Sequence, residues 1–163
     1  DGMLLTRALE DDRALQYLSQ ANFPTALTGT CRYDNIIQVD TDNEGAAEKM
    51  TTLLIGKGFR RFAFLVKDMS YNVDRKRHEG FCRALIKNGI SEKDQLFYNG
   101  SIRMEFLDAI IENIISKKVE CIISGGSGNG IHAQTCASNP CATSPPQCPQ
   151  NRYPMPKVWY MRL

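Results

Sequence analysis

The chain has 163 residues, of which 23% are charged, and a formal net charge of +2. This length can bury one substantial hydrophobic core, whereas the near-neutral charge excludes the strongly basic surface typical of nucleic-acid binding. No apolar run approaches the roughly 20 residues of a membrane span, and no basic and then apolar export signal precedes Asp1. We therefore expect a cytoplasmic protein that makes no direct DNA contact through these residues and does not enter a membrane.

The cysteines do not indicate a metal site. Three of the six occur singly in segments that read as loop, helix and strand and are interpreted as small buried hydrophobic residues, Cys31, Cys82 and Cys121. The other three lie near the C-terminal end but lack the paired Cys-x2-Cys spacing of structural zinc sites, Cys136, Cys141 and Cys148. We predict no metal and no cofactor.

The first helical pattern lies between short apolar runs. Residues 14–21 have helical spacing behind three acidic residues, which favour the positive end of a helix. Residues 23–29 then predict a strand entered through Pro24, and residues 36–39 predict another short strand.

A second helix follows an acidic turn. Residues 40–43 supply side-chain caps, so we expect the helix to begin near Asn43 and to stop at Gly58. Apolar residues recur at three- and four-residue steps on one face, which should lie on a sheet: Ala46, Ala47, Met50, Leu53 and Leu54.

Phe62–Val66 is a near-continuous apolar run, as in a parallel strand that is covered on both faces. Residues 67–74 are polar and loop-like, and a loop at the carboxyl end of such a strand is a common ligand-binding position in open α/β sheets. Residues 77–88 then predict a helix that ends at Gly89, with three residues on its buried side: Phe81, Leu85 and Ile86.

The alternation of strands and helices continues to Ser124. Residues 95–98 predict a strand, residues 106–115 a strongly amphipathic helix, and residues 119–124 another strand. Such alternation predicts an α/β fold with parallel sheets, right-handed crossovers and flanking helices.

The composition changes after His132. All 18 acidic residues precede Cys121, whereas six of the seven prolines follow His132. Residues 133–163 keep neither the period of a strand nor that of a helix, so an irregular or disordered tail is predicted.

A spaced set of residues in the centre of the chain carries a family resemblance. The set comprises Val39, Asp42-Asn43, Ala46-Ala47, Thr51, Leu54-Ile55, Gly58 and Arg61, followed by Arg77-x-x-Gly80-Phe81-x-x-Ala84-Leu85. It resembles the effector-binding domain of LacI/GalR-family bacterial transcription repressors. Phe59 stands where the family's motif has His.

The resemblance implies a periplasmic-binding-protein-like type I fold with two lobes. Because 163 residues are few for such a domain, we expect a partial copy. Residues 1–42 would belong to the first lobe, where Met3–Leu5 resembles a buried strand of the family, and residues 43–127 to the second lobe. Residues 128–163 would be a tail that is foreign to the domain or disordered.

The resemblance also implies ligand-binding residues. Arg77 matches the arginine that binds the effector in the family, and its planar guanidinium suits vicinal hydroxyls or a carboxylate; a solvated basic helix start is the alternative. Asp42 matches an acid beside the effector pocket, and a helix cap is its compatible alternative. The family's third ligand residue, an acid after the strand that ends at Ser124, is missing, and Ser127 or Asn129 could substitute for it weakly. Ile102 could contact a bound ring, with a core role as the alternative.

The function implied is that of the ligand-sensing domain of a LacI-type repressor. A sugar or related small metabolite would bind between the lobes and change how a homodimer presents separate helix-turn-helix heads to operator DNA. No catalytic arrangement is evident, so we expect no enzyme activity. The alternatives are a periplasmic sugar-binding protein of a transport system and a nucleotide-dependent enzyme on a doubly wound sheet.

Overall fold

The computed structural model describes residues 1–100, 104–125 and 157–160. The strands within these residues are β1 (Met3–Leu5), β2 (Thr25–Thr28), β3 (Ile37–Val39), β4 (Phe62–Val66), β5 (Leu96–Asn99), β6 (Cys121–Ser124) and β7 (Lys157–Tyr160). The helices are α1 (Arg13–Gln20), α2 (Asn43–Gly56), α3 (Asn72–Lys87) and α4 (Met104–Ser116), and Glu92–Asp94 forms a 3-10 turn.

The strands form two parallel sheets. The first sheet has the order β1-β2-β3, and the second has the order β5-β4-β6-β7. Every pairing within both sheets is parallel. The prediction of an α/β fold with parallel sheets and flanking helices is therefore confirmed. None of the described helices combines the length and the apolar character needed to cross a lipid bilayer.

The first sheet is held together by the apolar side of α1. Asp12 caps this helix, because its carboxylate accepts the N–H groups of Ala14 at 2.9 Å and Leu15 at 3.2 Å. Leu15 then packs in a small core with Leu27 of β2 and with Ile36. This arrangement fixes the loops that leave the carboxyl ends of the three strands.

Strand β4 is the buried centre of the second sheet. Phe62, Phe64 and Val66 pack on one face, in the same core as residues of α2 and α3. Ala63 and Leu65 pack on the other face with Ile114 of α4. Both faces are covered, which is why the sequence of this strand is continuously apolar.

Helices α2 and α3 approach closely at Gly80. A Cβ atom at this position would collide with the backbone carbonyl oxygen of Glu44 and would crowd Ala47. The glycine of the Arg-x-x-Gly-Phe motif is therefore a packing residue, and it brings the first halves of the two helices together.

Helix α3 differs from its prediction. It begins at Asn72, five positions before the predicted start, because Asp74 and Arg75 both donate backbone hydrogen bonds to the carbonyl of Tyr71. Val73 is the only apolar residue of the first turn, so hydrophobic periodicity could not detect it. Ile86 is 67% exposed rather than buried, and Leu53 on α2 is 56% exposed, because neither side chain faces the sheet.

The C-terminal residues also differ from their prediction at one place. Lys157–Tyr160 forms β7, whereas the composition predicts an irregular tail over residues 128–163. Cys121 pairs with Lys157 and Ser124 with Tyr160, so this strand supplies backbone partners to the otherwise open side of β6. Valine, tryptophan and tyrosine favour such extended backbone.

Candidate ligand-binding cleft

A cleft of about 560 Å³ lies where the two sheets face each other. Its lining follows the carboxyl ends of the strands: Thr6 follows β1, Thr28 ends β2, Asp40 follows β3 and Lys67 follows β4. The rest of the wall comes from α3, from Asn43 at the start of α2, from loop residues next to these elements and, after β6, from Gly125. The volume suits a small metabolite, and the carboxyl ends of parallel strands are where α/β folds bind ligands.

Arg77 lines one wall of the cleft. Because α3 begins at Asn72, Arg77 occupies the second turn of the helix and is half-buried. Its Nε donates a hydrogen bond to Oδ1 of Asn43 at 3.0 Å, and its Nη1 donates to the carbonyl oxygen of Gly125. Burial lowers the pKa of Arg77, and the nearby carboxylates of Asp74 and Asp40 oppose that shift. An arginine remains charged under such conditions.

Asp42 lies at the N-terminus of α2, not among the residues that line the cleft. Its Oδ1 accepts the N–H of Gly45 at 2.8 Å, so the predicted helix cap is confirmed. The structure brings Arg77 together with Asn43, the next residue along the chain, instead of with Asp42. The other predicted ligand residues, Ser127 with its alternative Asn129, and Ile102, lie outside the described residues.

Asn43 is buried beside Arg77 and also holds the carboxylate of Asp40. Asn43 is 2% exposed, and its amide nitrogen donates to Oδ1 of Asp40 at 3.1 Å. Asp40 also forms an ion pair with Lys76 at 3.3 Å. Sequence analysis did not select Asp40 as a ligand-binding residue, although it directly follows a strand, where α/β folds often bind ligands.

Asp74 is a buried carboxylate on the same wall. It is 7% exposed, lines the cleft and accepts the N–H of Asp68 at 3.2 Å. Burial raises the pKa of Asp74 above its ordinary value, although the Asp68 hydrogen bond and the positive charges of Arg77 and Arg7 oppose the shift. Sequence reasoning missed this residue because it assigned residue 74 to a loop.

Direct contacts connect the two sheets along one side of the cleft. Asn72 donates a side-chain hydrogen bond to the carbonyl of Thr30 at 2.7 Å. The backbone N–H of Glu10 donates to the carbonyl of Ser70 at 3.0 Å, and the Glu10 carboxylate pairs with Arg75. These contacts hold the two strand-end surfaces face to face, so a ligand bound between them would contact both.

The chain is similar in sequence to known bacterial regulatory proteins. No family model matches it. Catabolite control protein A from Staphylococcus xylosus is 26% identical over 125 residues, which are 76% of this chain and 38% of that protein. The HTH-type transcriptional regulator MalR from Staphylococcus xylosus is 29% identical over 86 residues, which are 52% of this chain and 26% of that protein. The chain thus spans well under half the length of these relatives.

Solved structures show the same likeness in three dimensions. A putative LacI transcriptional regulator from Bacillus cereus subsp. cytotoxis is 28% identical, with a TM-score of 0.76 over 88% of this chain and 52% of that one. The regulator CelR in complex with cellobiose is 23% identical, with a TM-score of 0.72 over 86% of this chain and 45% of that one. The chain spans about half of each structure.

The two parallel sheets and the cleft between them define a partial periplasmic-binding-protein-like α/β domain. More specifically, over the part that these relatives match, the chain is similar to the effector-binding domains of LacI/GalR-type regulators. The family resemblance predicted from the motif is thereby confirmed. All of these relatives are transcription regulators, and none of them is a transport protein.

Proposed function

We propose that the chain is the ligand-sensing part of a LacI-type transcription regulator and that it binds a sugar or a related small metabolite in the cleft. The observation that supports this most strongly is the position of Arg77, which lines a polar cleft between two sheets at the carboxyl ends of their strands. The structural likeness to a regulator in complex with cellobiose supports a carbohydrate ligand.

The contacts of Arg77 suggest how ligand binding is coupled to the arrangement of the two sheets. Its guanidinium connects Asn43 at the start of α2 to Gly125 after β6, and these two bonds use only two of its five N–H donors. A ligand held by this group and by Thr28 at the end of β2, or by Thr30 in the loop that follows, would contact both sides of the cleft at once. Such a ligand stabilises the arrangement in which the sheets lie close together, in proportion to its preference for that arrangement.

The regulatory output would be carried by other parts of the protein. We propose that the ligand-bound domain acts within a cytoplasmic homodimer and controls operator binding by a separate helix-turn-helix head. The HTH-type relative MalR supports this proposal. The domain itself would perform no catalysis, because its role is to convert differential ligand affinity into a change of shape.

The test is a thermal unfolding panel of pentoses, hexoses, disaccharides and their phosphates on the 163-residue chain. We expect at least one of these compounds to raise the unfolding midpoint, because a ligand that binds only the native state stabilises it. Arg77→Ala should abolish that rise. Lys49→Ala, on the exposed side of α2, is the control and should keep it. A panel in which no sugar raises the midpoint would overturn the proposed function.

A further inference from the structure

A second hollow, of about 580 Å³, lies at the opposite end of the second sheet from the cleft. Its lining surrounds the amino ends of three neighbouring strands: Arg61 directly precedes β4, Gln95 directly precedes β5, and Val119 lies just before β6. The described residues that line it are all different from those that line the cleft. The proposed function therefore makes no use of this hollow.

Positively charged side chains surround the hollow. Four cationic residues, all of them exposed, define what we call the basic hollow: Arg60, Arg61, Lys93 and Lys117. Arg61 forms an ion pair with Glu120 at 3.7 Å. Among the residues that the structure describes, the side chains of the other three have no carboxylate oxygen within the 4.0 Å of an ion pair.

The nearby acidic groups do not balance these charges. Asp94 is the carboxylate in the described lining. Glu120 lies beside the hollow, where its carboxylate accepts the backbone N–H groups of the two residues that precede β4, at 2.7 and 3.1 Å. Glu92 interacts electrostatically with His78 and Cys82 of α3 instead. The four cations thus face two carboxylates, those of Asp94 and Glu120, and positive charge is in excess.

The two lysines are the cations most available to a partner. Arg60 already serves the end of α2, because its Nη1 donates to the carbonyl oxygens of Ile55 at 2.7 Å and Phe59 at 2.9 Å. Those bonds leave the N–H donors of its Nε and Nη2. Lys93 lies in the 3-10 turn before β5, and Lys117 directly follows α4, so they approach the hollow from both sides of β4.

Long-range hydrogen bonds fix the backbone around the hollow. The side-chain oxygen of Gln95 accepts the N–H of Phe62 at 2.7 Å, and its amide nitrogen donates to the carbonyl of Ser91 at 2.9 Å. Glu120 likewise connects the start of β6 to the residues before β4. Three apolar residues complete the lining: Ile90, Leu96 and Val119. The hollow therefore presents a fixed apolar surface within a rim of positive charge.

We propose that the basic hollow binds an acidic segment of a partner protein, in which an apolar side chain is flanked by carboxylates. The apolar side chain packs on Ile90 and Leu96, while the carboxylates meet Lys93 and Lys117. An apolar centre with an exposed charged rim is typical of protein interfaces, whereas a small-molecule site encloses most of its ligand. The charge excess selects an acidic partner.

The experiment is fluorescence anisotropy of the 163-residue chain with three labelled peptides of equal length. The acidic peptide is Gly-Glu-Glu-Leu-Glu-Glu-Gly, the neutral peptide has Gln for every Glu, and the third peptide has Gly for Leu. Lys93→Gln and Lys117→Gln are compared with two controls outside the lining. Lys118→Gln removes an exposed charge next to the hollow, and Lys49→Gln removes one on α2.

The acidic peptide should bind about tenfold or more tightly than either of the other two peptides. Lys93→Gln and Lys117→Gln should each weaken its binding about threefold or more, whereas both controls should change it by less than about twofold. Raising sodium chloride from about 0.05 M to about 0.5 M should weaken binding of the acidic peptide.

Equal binding of the acidic and neutral peptides would overturn this inference, as would the absence of binding by the acidic peptide. Equal binding of the peptide without leucine would show that the apolar lining contributes nothing. A loss in Lys118→Gln as large as that in Lys117→Gln would show a general attraction to positive charge instead of a site in the hollow. None of these outcomes affects the proposed function, because the sugar panel tests the cleft separately.

Discussion

The Nε of Arg77 donates a hydrogen bond of 3.0 Å to Oδ1 of Asn43, 34 positions earlier in the chain. This bond joins the second turn of α3 to the first residue of α2 at the surface of the cleft. Asn43 is 2% exposed, and its amide also donates to Asp40 and to Thr41. The asparagine therefore orients the arginine that the ligand would meet.

Replacement of Asn43 should affect stability and binding together. Asn43→Ala removes one hydrogen bond each from Arg77 and Asp40, which we expect to cost about 1–3 kcal/mol of unfolding free energy. Urea denaturation measures this cost, with Lys49→Ala as the surface control. The same variant should lower the midpoint rise caused by any sugar that the chain binds. Unchanged stability would contradict the role assigned to this bond.

A second prediction concerns the contact between α2 and α3. Gly80→Ala places a methyl group against the Glu44 carbonyl, so we expect a loss of about 2–4 kcal/mol, because two packed helix backbones must move apart. Gly56→Ala is the matched control, since nothing lies within 4 Å of a Cβ atom there. It should leave stability unchanged or raise it by up to about 1 kcal/mol. Equal effects of the two substitutions would contradict this interpretation of Gly80.

Substitutions of Asp42 can distinguish its two predicted roles, which are helix capping and ligand binding. Asp42→Ala removes the cap of α2 and should cost about 1 kcal/mol, whereas Asp42→Ser keeps an oxygen acceptor and should restore most of the stability. Both variants should keep the midpoint rise produced by a bound sugar, because Asp42 does not line the cleft. Loss of that rise in the stable serine variant would assign Asp42 to the ligand instead.

His78 makes stability depend on pH. The centre of its ring lies 4.4 Å from the centre of the Phe97 ring and 5.7 Å from that of Phe64. The Cys82 sulfur lies 3.5 Å from Nε2. Burial lowers the pKa of His78, and the acidic side chains of Glu92 and Glu79 oppose the shift only in part. The unfolded chain therefore takes up this proton at a higher pH than the native one, so stability falls as the pH drops below about 6.5 and is constant above it.

Urea denaturation at about pH 7.5 and about pH 5.5 tests this dependence. Other groups titrate in the same range, so the relevant quantity is the difference between the parent chain and His78→Gln. The parent should lose more unfolding free energy on acidification than the variant does. Equal losses in the two proteins would show that His78 does not cause the effect.

Local features of the sequence determined the elements and their order. The helix cap at Asp42 and the continuous apolar run of Phe62–Val66 each depend on a few adjacent residues, so α2 and β4 were predictable. Arg77, which the motif singled out, lines the cleft. Periodicity failed at the start of α3, where a first turn with one apolar residue carries no periodic signal.

The tertiary structure alone decided which side chains meet in the cleft. Arg77 contacts Asn43 and Gly125, which lie 34 and 48 positions away, and Asp40 pairs with Lys76 across 36 positions. Strand order and helix packing set these distances, and no local pattern encodes them. Arg7 and Lys67 line the same cleft for the same reason, because they follow strands of different sheets whose carboxyl ends face one another.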